Sequence, residues 1–280
     1  MGIRLVTTCH ADGWRQYGRH MVETFVAHWP ADVTLEIYAE GFEVDVIAPN
    51  VRQRALPDWH TAWKVLHADN ADAHGRDPRR FGPVDRHKNR DYSYRRDCVR
   101  FSHKVAALTD AALNPEIVNH AGAADWLIMI DADTLSHAPV TIEWLRSLVG
   151  SPVFYMAWLH RANWYPECGF VIFNEACPAH EWFMRLLRST YENGEVFTMP
   201  ETHDSFVLQE LVRLAVRRHA FPMPVSLSGR KGERSTHPFV HSRLAERLDH
   251  AKGKFKAAGR TPAGLGEARH RPEPYWRGGT

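Results

Sequence analysis

Two carboxylates and an imidazole are the residues of this chain best suited to hold a cation. Asp131-Ala132-Asp133 closes a short apolar run, Trp126-Leu127-Ile128-Met129-Ile130, that reads as a buried strand. Residues i and i+2 of a strand point to the same side. Both acids can therefore face one ligand at the carboxyl edge of a sheet, where open α/β sheets bind their ligands. Two carboxylates held that close repel unless a cation lies between them. Alone, Asp-x-Asp also fits a solvated turn. The balance shifts with His250-Ala251-Lys252-Gly253-Lys254-Phe255-Lys256, which reads H-x-x-G-x-x-K. A neutral imidazole is a good third ligand to Mn²⁺ or Mg²⁺ beside carboxylates. Gly253 lets the backbone approach a phosphate closely, and Lys256 supplies a point charge for it.

Further candidates stand beside these. Glu167-Cys168-Gly169 enters an apolar strand after an aromatic loop containing Trp158, Trp164 and Tyr165. His203-Asp204-Ser205 opens a helix, where Asp204 also fits the role of N-cap. Arg100 and Lys104 are one helical turn apart, on one face. Thr7 and Thr8 end the first strand, placed to meet a base or ribose.

The elements that must position these groups follow from periodicity. Ile3 to Thr8 reads as a strand, Gly13 to Trp29 as a helix stopped by Pro30, and Val33 to Ala39 as a second strand, the start of a parallel α/β sheet. A helix is expected over Asp58 to His67, a long polar loop over 70–92, and a helix over Ser93 to Leu113, stopped near Asn114-Pro115. After the Asp-x-Asp, the pattern predicts a helix over Pro139 to Val149 with proline in its first turn. Strands over Val153 to Leu159 and Gly169 to Phe173 come next, then helices over Ala179–Tyr191 and Asp204–Arg217. From Gly259 on, the chain is rich in Gly, Pro and Arg and is either disordered or wrapped over the body. With 280 residues, 44% of them hydrophobic, one substantial core is expected: a body over 1–258 and a basic tail over 259–280.

The net charge of +2 hides an asymmetry. Residues 76–104 hold ten Lys/Arg against four Asp, and residues 252–271 hold six against Glu267. Two basic segments on an otherwise acidic chain point to polyanionic partners such as a diphosphate or nucleic acid; long arginine side chains that merely solvate a loop are the plain alternative. The four cysteines form no C-x-x-C pair and read as reduced thiols of a cytoplasmic protein. No apolar stretch approaches the roughly 18 residues that span a membrane, and the N-terminus lacks signal-peptide architecture.

Taken in order, these motifs resemble the GT-A class of nucleotide-sugar glycosyltransferases, nearest to the glycogenin and lipopolysaccharide-galactosyltransferase type. Asp131, Asp133, Glu167-Cys168-Gly169, Asp204, His250, Gly253 and Lys256 occupy the places of that type's D-x-D, N-x-G-like strand entry, acidic helix start and terminal H-x-x-G-x-x-K. Blocks such as Arg100-Phe101-Ser102-His103-Lys104, His203-Asp204-Ser205 and Leu248-Asp249-His250 are similar to a glycosyltransferase-like group found in phage genomes. Two positions depart from the family: Glu167-Cys168 where Asn or Asp and a small residue are usual, and Ala257-Ala258 where Pro-Trp often follows the lysine.

The resemblance implies a single-domain α/β fold, a GT-A-type, Rossmann-like mixed sheet flanked by helices. It also implies a hexosyl- or pentosyltransferase that uses Mn²⁺ or Mg²⁺ and a nucleotide-diphosphate sugar, UDP being the expected nucleotide. Asp133 and His250 are expected as metal ligands, with Asp131 sharing the metal or binding the ribose. Gly253, Lys256 and Arg100 or Lys104 are expected on the phosphates, and Asp204 or Glu167 as the base or the carboxylate that faces the oxocarbenium. Charge and the phage-like blocks together point to a 5-hydroxymethylpyrimidine in DNA as acceptor, gripped by 76–104 and the tail; a glycan or protein hydroxyl is the alternative. A metal-dependent nucleotidyltransferase and a non-catalytic DNA- or sugar-binding protein also fit the same acids.

Overall fold

Strand β1 (Gly2–His10) and strand β2 (Thr34–Glu40) pair in parallel, in register from Arg4↔Thr34 to His10↔Glu40. The crossover between them enters through a helical turn and a π-helical stretch, Trp14–Gly18, and continues as α1 (Arg19–His28), which buries Met21, Val22 and Phe25. The computed structural model describes residues 2–114, 116–117, 124–151, 153–262 and 268–278; Pro115 and Glu267 of the sequence reading lie outside them. A strand not foreseen, β3 (Val51–Arg54), adds to β2 in parallel. Its sequence Val-Arg-Gln-Arg carries one apolar residue, so periodicity could not show it.

Helix α2 (Asp58–Leu66) matches its expected range within a residue. The polar stretch after it contains α3 (Pro83–Lys88), a short helix with proline in its first turn. The next helix begins later than expected: α4 spans Cys98–Leu113, because Asp97 caps it by accepting from the Arg100 N–H, and Tyr94–Arg96 form a separate 3₁₀ turn.

Strand β4 (Ala124–Ile130) lies beside β1 in parallel. It is apolar along its length because both faces are covered: Leu127 and Met129 point into one core, Trp126, Ile128 and Ile130 into the other. A short strand β5 (Thr134–Ser136) follows the Asp-x-Asp. Helix α5 spans Ile142–Val149, and Thr141, not Pro139, opens it: the threonine hydroxyl accepts from the Trp144 N–H and leaves the proline outside. Strand β6 (Met156–Leu159) is shorter than expected, with Val153 81% exposed before it. Strand β7 (Glu167–Asn174), α6 (His180–Glu192), α7 (Asp204–Arg217), β8 (Val225–Ser226) and β9 (Leu248–His250) complete the labelled elements.

The sheet order is β3-β2-β1-β4-β7-β6-β8. Only β7 runs against the rest, being antiparallel to both β4 and β6. This helix-flanked mixed sheet has the Rossmann-like α/β layout expected from the sequence. The reversal of β7 places its amino end, Glu167 to Gly169, at the same edge as the carboxyl ends of β1, β2 and β4. Strand β9 pairs antiparallel with β5 outside the main sheet, setting Thr134 opposite His250.

The described part of the tail packs on the body. Asp249 of β9 is fully buried; it accepts from the Thr261 N–H and hydroxyl and from the Tyr275 hydroxyl. Trp276 is buried and donates to the Ala245 carbonyl. Among the described residues no helix is long and apolar enough to cross a membrane.

The basic stretch 76–104 is in good part internal wiring. Arg96 is 1% exposed, pairs with Asp72, and donates to the Met199 and Pro200 carbonyls. Arg95 pairs with Glu201, Arg79 with Asp77, and Arg80 with Asp72 while donating to the Phe197 carbonyl. Replacing Arg96 with alanine would leave Asp72 with the longer Arg80 contact alone and strip two carbonyls of their donor. The expected cost is about 2–3 kcal/mol, read as a lower midpoint in urea unfolding at unchanged slope.

Candidate metal and nucleotide site

The antiparallel β5–β9 pairing brings His250 to the acids. One ligand atom each from Asp131, Asp133 and His250 lies within 4.8 Å of the other two. His250 Nε2 is 3.1 Å from Asp133 Oδ1 and 3.5 Å from Asp131 Oδ2. The Ala251 N–H donates to the Asp133 carbonyl, and the Asp131 N–H to the Gly169 carbonyl, so backbone bonds fix both sides of the cluster.

Two hard oxygens and an imidazole nitrogen, converging at distances one cation could bridge, suit Mn²⁺ or Mg²⁺. The His250 Nδ1 is buried without a hydrogen-bond partner among the described residues, while Nε2 points at the carboxylates. Gly169 makes room for the ring: a β-carbon there would come within 2.7 Å of His250 Cε1 and 3.3 Å of Asp131 Oδ2. The glycine of Glu167-Cys168-Gly169 is thus a matter of space.

Lysines hold the outer oxygens. Lys104 Nζ is 2.7 Å from Asp131 Oδ1 and 2.7 Å from Asp204 Oδ2, and donates to the Cys168 carbonyl. Lys256 Nζ is 2.5 Å from Asp133 Oδ2 and sits over the Tyr17 ring at 5.2 Å. Gly253 has φ +56°, a left-handed turn that starts the 3₁₀ segment carrying Lys256 to the cleft.

These contacts set the protonation states. Burial pushes the Asp131 carboxyl up, and Lys104 only partly offsets it, so its pKa stays raised. Burial also pushes Asp133 up, but His250 and Lys256 outweigh it and hold this carboxyl well below the usual range. For His250, burial opposes the charged form, but Asp133 and, behind it, Glu167 together outweigh burial and raise its pKa. A metal needs the neutral imidazole, so it competes with a proton, and its affinity rises with pH.

The two candidate catalytic carboxylates are both ion-paired. Asp204 starts α7, and Lys104 overcomes burial to keep its pKa lowered. Glu167 pairs with Lys252, and against the effect of burial Lys252 and His250 bring its pKa down to about 2. Held ionised, both are poor proton acceptors at neutral pH and good partners for developing positive charge. An unfolded glutamate titrates near ~4.3. The Glu167 pair therefore stabilises the fold above that pH and loses its contribution as pH falls towards 2. Lys252→Met should lower the melting temperature most above about pH 5, with the gap to the wild type closing on acidification.

An open cleft of about 230 Å³ adjoins the cluster, lined by Thr8, Arg100, Lys104, Asp131, Asp133 and Lys256, together with His10, Tyr17, Glu40 and His103. Thr8 reaches it; Thr7 does not line it, being 1% exposed with a buried hydroxyl. Glu167, Asp204 and Gly253 likewise fall outside the lining. Glu40 and the role of His103 were missed. Glu40 ends β2, pairs with Lys64 and lies 2.9 Å from His103 Nε2, whose hydrogen bond leads the effects that bring its pKa down to about 2. The available signal was a carboxylate closing the second parallel strand, where dinucleotide folds place a ribose-binding acid.

No protein-family model matches the chain, and no curated protein matches it. Among solved structures, mouse xyloside xylosyltransferase 1 in its apo form is similar over 81% of this chain and 86% of its own, at 8% identity and a TM-score of 0.46. The galactosyltransferase LgtC, in complex with donor and acceptor sugar analogs, is similar over 74% of this chain and 70% of its own, at 12% identity and a TM-score of 0.41.

Proposed function

We propose that this chain transfers a hexosyl or pentosyl group from a nucleotide-diphosphate sugar to an acceptor hydroxyl, with UDP as the donor nucleotide. The observation that carries this reading is the convergence of Asp131, Asp133 and His250 beside a cleft into which Arg100 and Lys256 also project. In this reading residues 1–258 form the catalytic unit, and the tail from 259 braces β9 through Asp249.

A divalent cation held by Asp131, Asp133 and His250 would neutralise the charge that develops on a departing diphosphate. Lys256 leaves Asp133 for the phosphate oxygens, and Arg100 meets them from α4. Thr8 and Glu40, at the carboxyl ends of β1 and β2, bind the ribose and base. Asp204 and Glu167, kept ionised by Lys104 and Lys252, face the oxocarbenium-like sugar.

The DNA acceptor has narrower support than the charge count implied. Arg80, Arg95, Arg96 and Lys104 are engaged within the chain and Arg100 lines the cleft, which leaves Arg76, Arg86, Lys88 and Arg90 exposed, with Arg79 88% exposed beside Asp77.

A panel of nucleotide sugars with Mn²⁺ or Mg²⁺ tests the proposal, read as thermal stabilisation and nucleoside diphosphate release. Metal-dependent release of nucleoside diphosphate is expected. Release of pyrophosphate would point to nucleotidyl transfer, and absence of metal-dependent binding would leave a non-catalytic binding protein.

A further inference from the structure

A second groove, separate from the nucleotide cleft, lies between the β6–β7 loop and α7. It is open, about 630 Å³, within the size range of small-ligand sites. Its walls are the Trp164, Tyr165 and Phe206 rings, with Arg161, Asn163 and Gln209 among its polar groups.

Trp164 is 55% exposed, yet its loop is pinned on both sides. Arg161 Nε donates to the Tyr165 carbonyl at 2.6 Å, and the Ala162 N–H donates to the Glu233 carbonyl at 2.9 Å. A large indole held in water on a fixed loop is a preformed platform. The wall beneath it is fixed too. Tyr165 donates to Glu201, which also pairs with Arg95 and lies 2.9 Å from His203 Nε2.

The groove is joined to the reaction centre by rings. Tyr165 packs on His203 at 4.9 Å, and His203 in turn meets Phe101 of the nucleotide cleft at 5.9 Å. His203 immediately precedes Asp204. A ligand seated on Trp164 and Tyr165 would therefore be separated from the nucleotide cleft by the His203 and Phe101 rings.

We propose that this groove is the acceptor subsite and that the acceptor it takes is a saccharide, its ring face stacked on Trp164. The proposal rests on the glycosyl-transfer reading above. Charge decides between a saccharide and a nucleic-acid strand. Arg95 is matched by Glu201 and Arg213 by Glu210, which leaves Arg161, bonded to the Tyr165 carbonyl, as the single lining arginine with no ion pair among the described residues, short of the run of uncompensated cations that a phosphate backbone needs. Asn163 and Gln209 offer paired donors and acceptors of the kind that sugar hydroxyls match.

The test uses saturation-transfer difference NMR and calorimetry on the full chain, with UDP and Mg²⁺ present and lactose, maltose, cellobiose and xylobiose as probes. At least one disaccharide should receive saturation at its ring protons, and Trp164→Ala should weaken its binding about tenfold. Gln209→Ala should weaken it less, without altering the stacked protons. The melting shift with UDP and Mg²⁺ checks folding and donor binding in each variant. If that shift is absent from the wild type, glycosyl transfer itself fails. If the shift is present but no disaccharide binds, or binding ignores Trp164, the acceptor subsite fails. A single-stranded decanucleotide that binds with steep salt dependence and loses affinity in Trp164→Ala would overturn the saccharide assignment.

Discussion

His250→Ala should abolish the rise in melting temperature that Mn²⁺ gives the wild type and lower kcat/KM with a nucleotide sugar by about 10²–10³. The imidazole is 4% exposed and supplies the only nitrogen among the three converging ligand atoms. Two carboxylates remain, but Asp131 and Asp133 then meet the cation with one ligand fewer and with Lys104 and Lys256 still competing for their outer oxygens. The same lysines keep the acids partnered, so the metal-free variant should unfold close to the wild type. His250→Asn, which keeps a polar atom there, should restore part of the metal response. Calorimetric titration with Mn²⁺ reads the affinity directly. Wild-type affinity in His250→Ala would remove this residue from the metal site.

Gly169→Ala is expected to damage the site nearly as much, by a different route. The new methyl group would need the space occupied by His250 Cε1 at 2.7 Å and Nδ1 at 2.9 Å. Neither neighbour yields easily: the ring is buried, and Gly169 sits in β7, whose carbonyl accepts from the Asp131 N–H. Overpacking of this kind costs about 1–3 kcal/mol, and displacing the ligand should weaken metal binding about 10–100-fold, the scale seen when supporting contacts of a metal site are lost. Melting without metal reads the first effect, and Mn²⁺ titration reads the second. Gly169→Ala with normal stability and normal Mn²⁺ affinity would mean that β7 shifts without disturbing His250.

Both predictions concern contacts between residues far apart in sequence, and this separates what was legible from what was not. The β1–α1–β2 opening, β4 and α7 could be read because each buries a periodic apolar face or run. Asp131, Asp133, His250 and Lys256 could be named from residue type and spacing. The β5–β9 pair could not: each strand has three residues, too few for a period to show. Helix starts at Cys98 and Ile142 moved because single capping side chains, Asp97 and Thr141, override the apolar pattern. Glu40 was passed over because one acid at a strand end looks like any turn residue until the strand is placed beside β1.

The basic segment gives the sharpest contrast. Composition sets its charge, but composition is blind to partners, and the long-range pairing of Arg96 with Asp72 and of Arg95 with Glu201 exists only once α4 has docked. From its residues alone the chain determined an α/β body opening on parallel strands and a set of groups able to hold a cation and a diphosphate. Tertiary structure decided that β7 runs backwards, that β9 folds onto β5, and that Gly169 leaves a gap of one side chain for His250. A ligand set is a matter of distances, and no local pattern carries the distance between two strands that meet only through the fold.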